Sequence, residues 1–170
     1  MDVRRASPID ARAIALVHVR AWQAAYRDLV SKAQLDRLDV EKCAAAWESS
    51  LTNTSWPAYV LDDEGVVRGF CSAGRCEDPD VDSDRTAEIP AVYLDPDIWG
   101  RGHGRRLCEA VIDELRLRGF SDVVLWALEG NDRARRFYQA LGFLADGSTR
   151  KHPRIDKDLI RYRKDLDPGI

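Results

Sequence analysis

The sequence predicts one α/β domain over residues 1–170, a mixed central β-sheet with helices on both faces. Three observations carry this expectation. The apolar pattern is helical up to about Ser50 and becomes strand-like from Trp56. The stretch from Asp122 to Ala127 is almost unbroken apolar sequence, as in a strand buried on both faces. Glycines stand where strands and helices should join, at Gly100, Gly102 and Gly104 and again at Gly119 and Gly142. At this length a chain buries about 70% of its unfolded surface, enough for one sizeable core.

The elements follow in order. Val3 to Ala6 is a short strand. Ser7-Pro8-Ile9-Asp10 then reads as a helix start, with a capping serine, a proline suited to the first turn and an acid at the positive end. Ile9, Ala13, Leu16 and Val17 follow at helical spacing, and this helix runs to about Tyr26. A second helical region covers Ser31 to Ser50, broken near Asp39, with Leu35, Leu38, Ala44 and Trp47 on its apolar face. Trp56 to Leu61 and Val66 to Ser72 are strands joined by the turn Asp62-Asp63-Glu64-Gly65. A polar, acidic loop leads to the strand Ala87 to Leu94, which Asp95-Pro96 ends. Leu107, Ala110, Val111 and Leu115 mark a helix after the glycines, and Ala134, Phe137, Tyr138 and Leu141 mark another. Phe143 to Ser148 and Leu159 to Lys164 complete the sheet.

Composition excludes several classes. Lys and Arg number 26 against 29 Asp and Glu, a net charge of −3, where a general nucleic-acid binder would be basic. No apolar run approaches the ~18 residues of a membrane helix. The first residues lack a signal peptide's apolar stretch, so a cytoplasmic protein is expected. Cys43, Cys71, Cys76 and Cys108 form no CxxC pair and have no histidine near them in sequence, which speaks against zinc. They read as reduced, small core residues. Asp80, Asp82 and Asp84 begin like a calcium loop, but Arg85 stands where glycine is needed and Ala91 where the bidentate Glu belongs. The acidic segment 77–84 is then a solvated loop or a negative rim that attracts a cation. No metal is expected.

The glycine loop is the feature richest in chemistry. Three glycines at alternate positions let backbone approach a ligand, and the following helix start makes an anion site with Arg101, Arg105 and Arg106 nearby. There is no GK[ST], so it is not a P-loop, and a dinucleotide GxGxxG fits poorly. Val92-Tyr93-Leu94-Asp95-Pro96, followed by Gly100-Arg101-Gly102-His103-Gly104, instead resembles the acetyl-coenzyme A loop of the GCN5-related N-acetyltransferase (GNAT) family. Asn131, Ala134, Phe137-Tyr138 and Leu141-Gly142-Phe143 repeat that family's second block at its spacing. The resemblance covers about residues 87 to 147. Trp99 departs from it, since the family often has Gln or Arg there.

The resemblance implies a GNAT-like fold, acetyl-coenzyme A as co-substrate and an amine acceptor, of a small molecule or a peptide. It places the cofactor on Val92, Tyr93 and Leu94, with free N–H and C=O groups at Leu94, and on Arg101, Gly102, His103, Gly104, Arg105, Arg106, Asn131 and Tyr138. Tyr138 is the candidate acid. A protonated alkyl amine must lose a proton before it attacks, and Glu88 is the candidate base, six residues before Leu94 on the same strand. Glu129 or a water relay is the alternative. Trp22 and Tyr26 would wall the acceptor pocket, although core packing also suits them. Phe137 reads as core, and His18 and His103 as surface or loop residues. A homodimer is a family-level expectation. A non-catalytic acyl-coenzyme A sensor and a nucleotide-dependent oxidoreductase are the competing readings.

Overall fold

The computed structural model describes residues 1–53 and 55–166. The strands are β1 (Asp2–Arg5), β2 (Ala58–Asp63), β3 (Val66–Arg75), β4 (Thr86–Leu94), β5 (Asp122–Leu128), β6 (Leu144–Lys151) and β7 (Asp158–Asp165). The helices are α1 (Ala11–Ala25), α2 (Lys32–Leu35), α3 (Val40–Thr52), α4 (His103–Leu117) and α5 (Asp132–Ala140). Strand order is β1-β2-β3-β4-β5-β7-β6. The β4–β5 pair is parallel, and the pairs β1–β2, β2–β3, β5–β7 and β6–β7 are antiparallel, so the sheet is mixed as predicted. Among the described residues no helix is long and apolar enough to cross a membrane.

The chain forms two compact units. The first holds residues 1–73 and 91–114, the second residues 74–90 and 115 onward. In the first unit, Ile14 and Val17 of α1 and Leu51 of α3 pack on Val60, Phe70 and Ala91. Alternate residues of β3 face the other way. There Cys71 lies beside Cys108 of α4, and burial pushes its thiol well above the ordinary range. Gly69 lets α4 come close: a Cβ there would sit 3.0 Å from Leu94 Cγ and 3.2 Å from Leu107 Cδ1. Helices thus cover both faces of this unit's strands.

The stripe on α1 differs from the expected one. Ala11, Ile14, Ala15, Val17 and Ala21 are buried, whereas Ile9 and Leu16 are exposed. Ile9 belongs to a 3₁₀ turn, Pro8–Asp10, whose tighter winding offsets the α-helical count. Leu16 stands roughly 200° around the helix from Ile14. Ser7 does not cap through its side chain; Asp10 Oδ2 accepts from the Ser7 N–H at 2.8 Å, while Arg4 holds Asp10 Oδ1 at 2.8 Å.

In the second unit, cross-strand register sorts the side chains onto two faces. Leu125 opposes Tyr162, and Trp126 opposes Arg161. Tyr162 is fully buried on the face that carries α5, where Arg135 Nε donates to its hydroxyl at 3.0 Å. Arg161 is on the opposite face and only 4% exposed. Its Nε donates to Asp146 at 2.7 Å, its Nη1 to Asp78 at 3.0 Å and Asp80 at 2.7 Å, and its Nη2 to Ser148 at 2.8 Å.

This pairing corrects the reading of segment 77–84 as a solvated loop or free negative rim for Asp78 and Asp80. Asp78 is buried, and it also accepts from Trp126 Nε1 at 3.0 Å and Arg150 Nη1 at 3.0 Å. Glu77, Asp82 and Asp84 remain exposed. A buried cation that loses a partner stays desolvated, so Asp78→Ala is expected to cost about 3 kcal/mol. Denaturant unfolding measures this. A loss below about 1 kcal/mol would mean that the remaining carboxylates suffice for Arg161.

Candidate active site

The first unit carries the glycine loop. Asp95 anchors its start: the carboxylate is buried, bound by Arg20 Nη1 at 2.8 Å, and the Asp95 N–H donates to Arg68 O at 2.8 Å. After a 3₁₀ turn, Pro96–Ile98, Trp99 folds back and its Nε1 donates to Leu94 O at 2.9 Å. The Leu94 carbonyl, expected free, thus already accepts one hydrogen bond and keeps one lone pair. The indole takes up an acceptor that sequence reasoning had left open, and it ties the loop to the end of β4.

Gly102 has φ +81° just before α4, and a Cβ built there would find no heavy atom within 4 Å beyond its own residue and its two chain neighbours. The first N–H groups of a helix lack intrahelical acceptors. Those of His103 and Gly104 have none among the described residues, while the Arg106 N–H already donates to Gly102 O at 3.4 Å. Arg101, Arg105 and Arg106 are exposed, with Arg105 near Glu109 and Arg106 Nη1 donating to Met1 O at 3.1 Å. His103 is half-buried rather than a surface residue, and its enclosed Nδ1 has no hydrogen-bond partner.

Trp22, Tyr26 and Tyr93 come together in this unit. Trp22 Nε1 donates to Tyr93 Oη at 2.8 Å, and the Trp22 and Tyr26 rings meet edge-on at 4.6 Å. Burial pushes the Tyr93 phenol far above its ordinary range. Its side chain is thus occupied within the unit. His18 is no surface residue: it stacks on Tyr93 at 4.6 Å and accepts from Trp47 Nε1 at 3.4 Å. Its place on α1 between Ile14 and Trp22, one helical turn from each, points it to the core.

The second unit carries Glu88, Glu129, Asn131 and Tyr138. Glu88 pairs with Val124 in the parallel ladder, which puts it on the Trp126 and Arg161 face. It is half-buried and has no hydrogen-bond partner among the described residues. Burial raises its pKa above the ordinary carboxylate value; Arg150 opposes the rise, and Asp78 and Glu77 add to it. Glu129 is exposed at the end of β5. Asn131 caps α5, its Oδ1 accepting from the Ala134 N–H at 3.1 Å.

Tyr138 lies on the other face, its ring 6.1 Å from Phe143 and 6.3 Å from Tyr162. Phe137 is only half-buried, so it is not the core residue expected; α5 has no fully buried side chain. Glu88 and Tyr138 are thus on opposite faces of this ladder. Trp126, Arg150 and Asp78 were missed as site neighbours: strand register puts Trp126 and Arg150 on the Glu88 face, and Asp78 joins them through its hydrogen bonds to both. Among the described residues no three His, Cys, Asp or Glu side chains group as a metal site would require.

Residues 18–143 match the acetyltransferase (GNAT) family. An N-acetyltransferase of Bacillus subtilis, YuaI, is 32% identical over 82% of this chain and 78% of its own. The L-amino acid N-acyltransferase MnaT of Escherichia coli is 31% identical over 69% of this chain and 65% of its own. The yncA structure from Salmonella typhimurium, solved with its cofactor acetyl-CoA, is 26% identical with a TM-score of 0.76, covering 100% of this chain and 96% of that one. The chain therefore belongs to the acetyltransferase (GNAT) family, the acetyl-CoA-dependent N-acetyltransferases.

Proposed function

We propose that this enzyme acetylates a primary amine of a small molecule or peptide, by direct attack of the amine, with Glu88 as base and Tyr138 as acid. The observation that carries the reading is Glu88: a half-buried carboxylate of raised proton affinity, without a hydrogen-bond partner among the described residues. Family membership does not favour a nucleotide-dependent oxidoreductase or a non-catalytic sensor. A cytoplasmic setting suits its four cysteine thiols.

The residues of the glycine loop fit acetyl-CoA. The space in front of Gly102 admits a phosphate against backbone, the His103 and Gly104 N–H groups are ready donors, and the exposed arginines add positive charge. Val92, Tyr93 and Leu94 would hold the pantetheine arm through backbone, and Asn131 would contribute its side-chain amide. When bound, acetyl-CoA supplies the acetyl group as an activated thioester.

Glu88 takes the proton that the acceptor ammonium must lose, directly or through water, while Glu129 is the alternative base. Tyr138 gives a proton to the departing sulfur. These two protons belong to different groups, so acid and base need not touch. Their placement on opposite faces of the second unit's ladder keeps the phenol and carboxylate from pairing with each other. Trp22 and Tyr26 would contribute to the acceptor wall.

Because burial raises the Glu88 pKa, its basic form appears at higher pH than for an ordinary carboxylate. Activity should rise with pH and then level. Glu88→Gln is expected to lower turnover by about 10²-fold near neutral pH, the range for a lost general base. The deficit should shrink at high pH, where free amine is abundant. Acetyl-CoA consumption against a panel of amines across pH tests this. A variant profile matching the wild type in shape and height would remove Glu88 from the mechanism and direct attention to Glu129.

A further inference from the structure

The Trp126 face of the second unit holds three arginines: Arg163 lies near Asp122 and Asp146, and Arg161 and Arg150 are in different circumstances. All three nitrogens of Arg161 donate to Asp78, Asp80, Asp146 or Ser148, and its side chain is nearly fully enclosed. Arg150 has its Cζ 4.1 Å from the Trp126 ring centroid and donates only through Nη1, to Asp78 Oδ1. Its side chain is 45% exposed. Its Nε and Nη2 have no acceptor among the described residues.

The guanidinium is nevertheless held in place. Asp78 Oδ2 fixes the Trp126 indole through Nε1, Asp78 Oδ1 fixes one arm of Arg150, and the indole supports its flat face. A planar cation locked on one side, with donors left over on the other, is preorganised for the two parallel hydrogen bonds of a carboxylate. Register puts it on the right face. Arg150 opposes Leu159, two residues from Arg161, which opposes Trp126, two residues from Val124, which opposes Glu88. Arg150 is also the foremost charge acting on Glu88.

We infer that Arg150 is a specificity-determining residue that binds the carboxylate of an acceptor whose reactive amine lies a few bonds away, a free amino acid being the simplest such molecule. The inference rests on the reading of Glu88 as the base that receives the amine's proton. An acceptor bearing a second amine in place of the carboxylate would meet the Arg150 charge, so polyamines fit this face poorly. A neutral amine would leave the guanidinium without its partner. The amino-acid specificity in MnaT's name agrees with this chemistry.

The test compares free L-amino acids with their α-carboxamides, which keep the amine and lose the carboxylate. Wild-type enzyme should show a lower KM for the acids. Arg150→Gln should raise KM for the acids by about 30-fold, the effect of losing charge-assisted hydrogen bonds. Its KM for the carboxamides should rise far less than its KM for the acids; because Arg150 also lowers the proton affinity of Glu88, kcat is compared on the plateau of each variant's own pH–rate profile. Arg150→Lys, which keeps the charge but not the fork, should recover part of the loss. Equal KM increases for acids and carboxamides would assign Arg150 a purely structural role. Carboxamides used as well as acids by the wild type would overturn the inference while leaving amine acetylation standing. Failure of the wild type to acetylate either series would defeat the acceptor reading itself, and the inference with it.

Discussion

Gly102→Val is expected to weaken coenzyme A binding by at least about 100-fold, equivalent to about 2.7 kcal/mol. Two effects add. Gly102 has φ +81°, a conformation that strains a β-branched residue by about 1–2 kcal/mol. Its missing Cβ also leaves open space: apart from Gly102 and its two chain neighbours, no residue has a heavy atom within 4 Å of where that carbon would be. A valine would therefore not clash with the chain itself; it would project into the volume assigned to phosphate. Gly65→Val separates strain from occlusion. Gly65 also has positive φ, +90°, and open space at its Cβ, but it lies in the β2–β3 turn. That variant should lose comparable stability and keep its affinity. Calorimetric titration with coenzyme A, beside thermal unfolding of both variants, distinguishes the outcomes. Full affinity in Gly102→Val would move the phosphates away from this loop.

How much of the molecule is legible in its sequence depends on the range of the interaction. The Asp62–Gly65 turn, the break at Asp39 and the Asn131 cap are set by residues within four positions of one another, and all three are found in place. Asp39 Oδ1, for example, accepts from the Glu41 and Lys42 N–H groups and so starts α3. Strand edges moved by a few residues, because ladder pairing extends strands beyond their apolar cores; β3 reaches Arg75 and β6 reaches Lys151.

Long-range polar pairing was not legible. Nothing in the local composition of Glu77 to Asp84 distinguishes Asp78, which is buried against an arginine 83 positions away, from Asp82, which is exposed. Periodicity identifies buried apolar faces. It does not report that a charged residue on an alternating strand has found a counter-charge, since the same pattern marks a solvent face. Arg150 and Arg161 were hidden for this reason. His18 was hidden for a related one: its imidazole lies inside an aromatic group assembled from α1, α3, β3 and β4. Trp99 was visible as a departure from the family loop, but its hydrogen bond to Leu94 O required the fold.

Tyr138→Phe is expected to lower the chemical step by about 10²-fold or more, with coenzyme A affinity and fold unchanged. The substitution removes one oxygen and keeps the ring. The ring's contacts with Phe137, Phe143 and Tyr162, at 5.3, 6.1 and 6.3 Å between centroids, are therefore retained. Thermal unfolding beside the rate measurement separates a chemical role of the hydroxyl from a structural one. The motivation is position. Tyr138 lies seven residues after Asn131 on α5, where the family block places its acid, and it is half-buried rather than sealed in the core. A phenol can serve as a proton donor to a departing thiolate. Single-turnover kinetics isolates the chemical step from release of product. A wild-type rate in that measurement would make Tyr138 a packing residue. A higher KM for acetyl-CoA with an unchanged chemical step would instead assign the hydroxyl to cofactor binding. A loss of stability comparable to the loss of rate would mean that the hydroxyl holds α5 in place, and the role of acid would then pass to water.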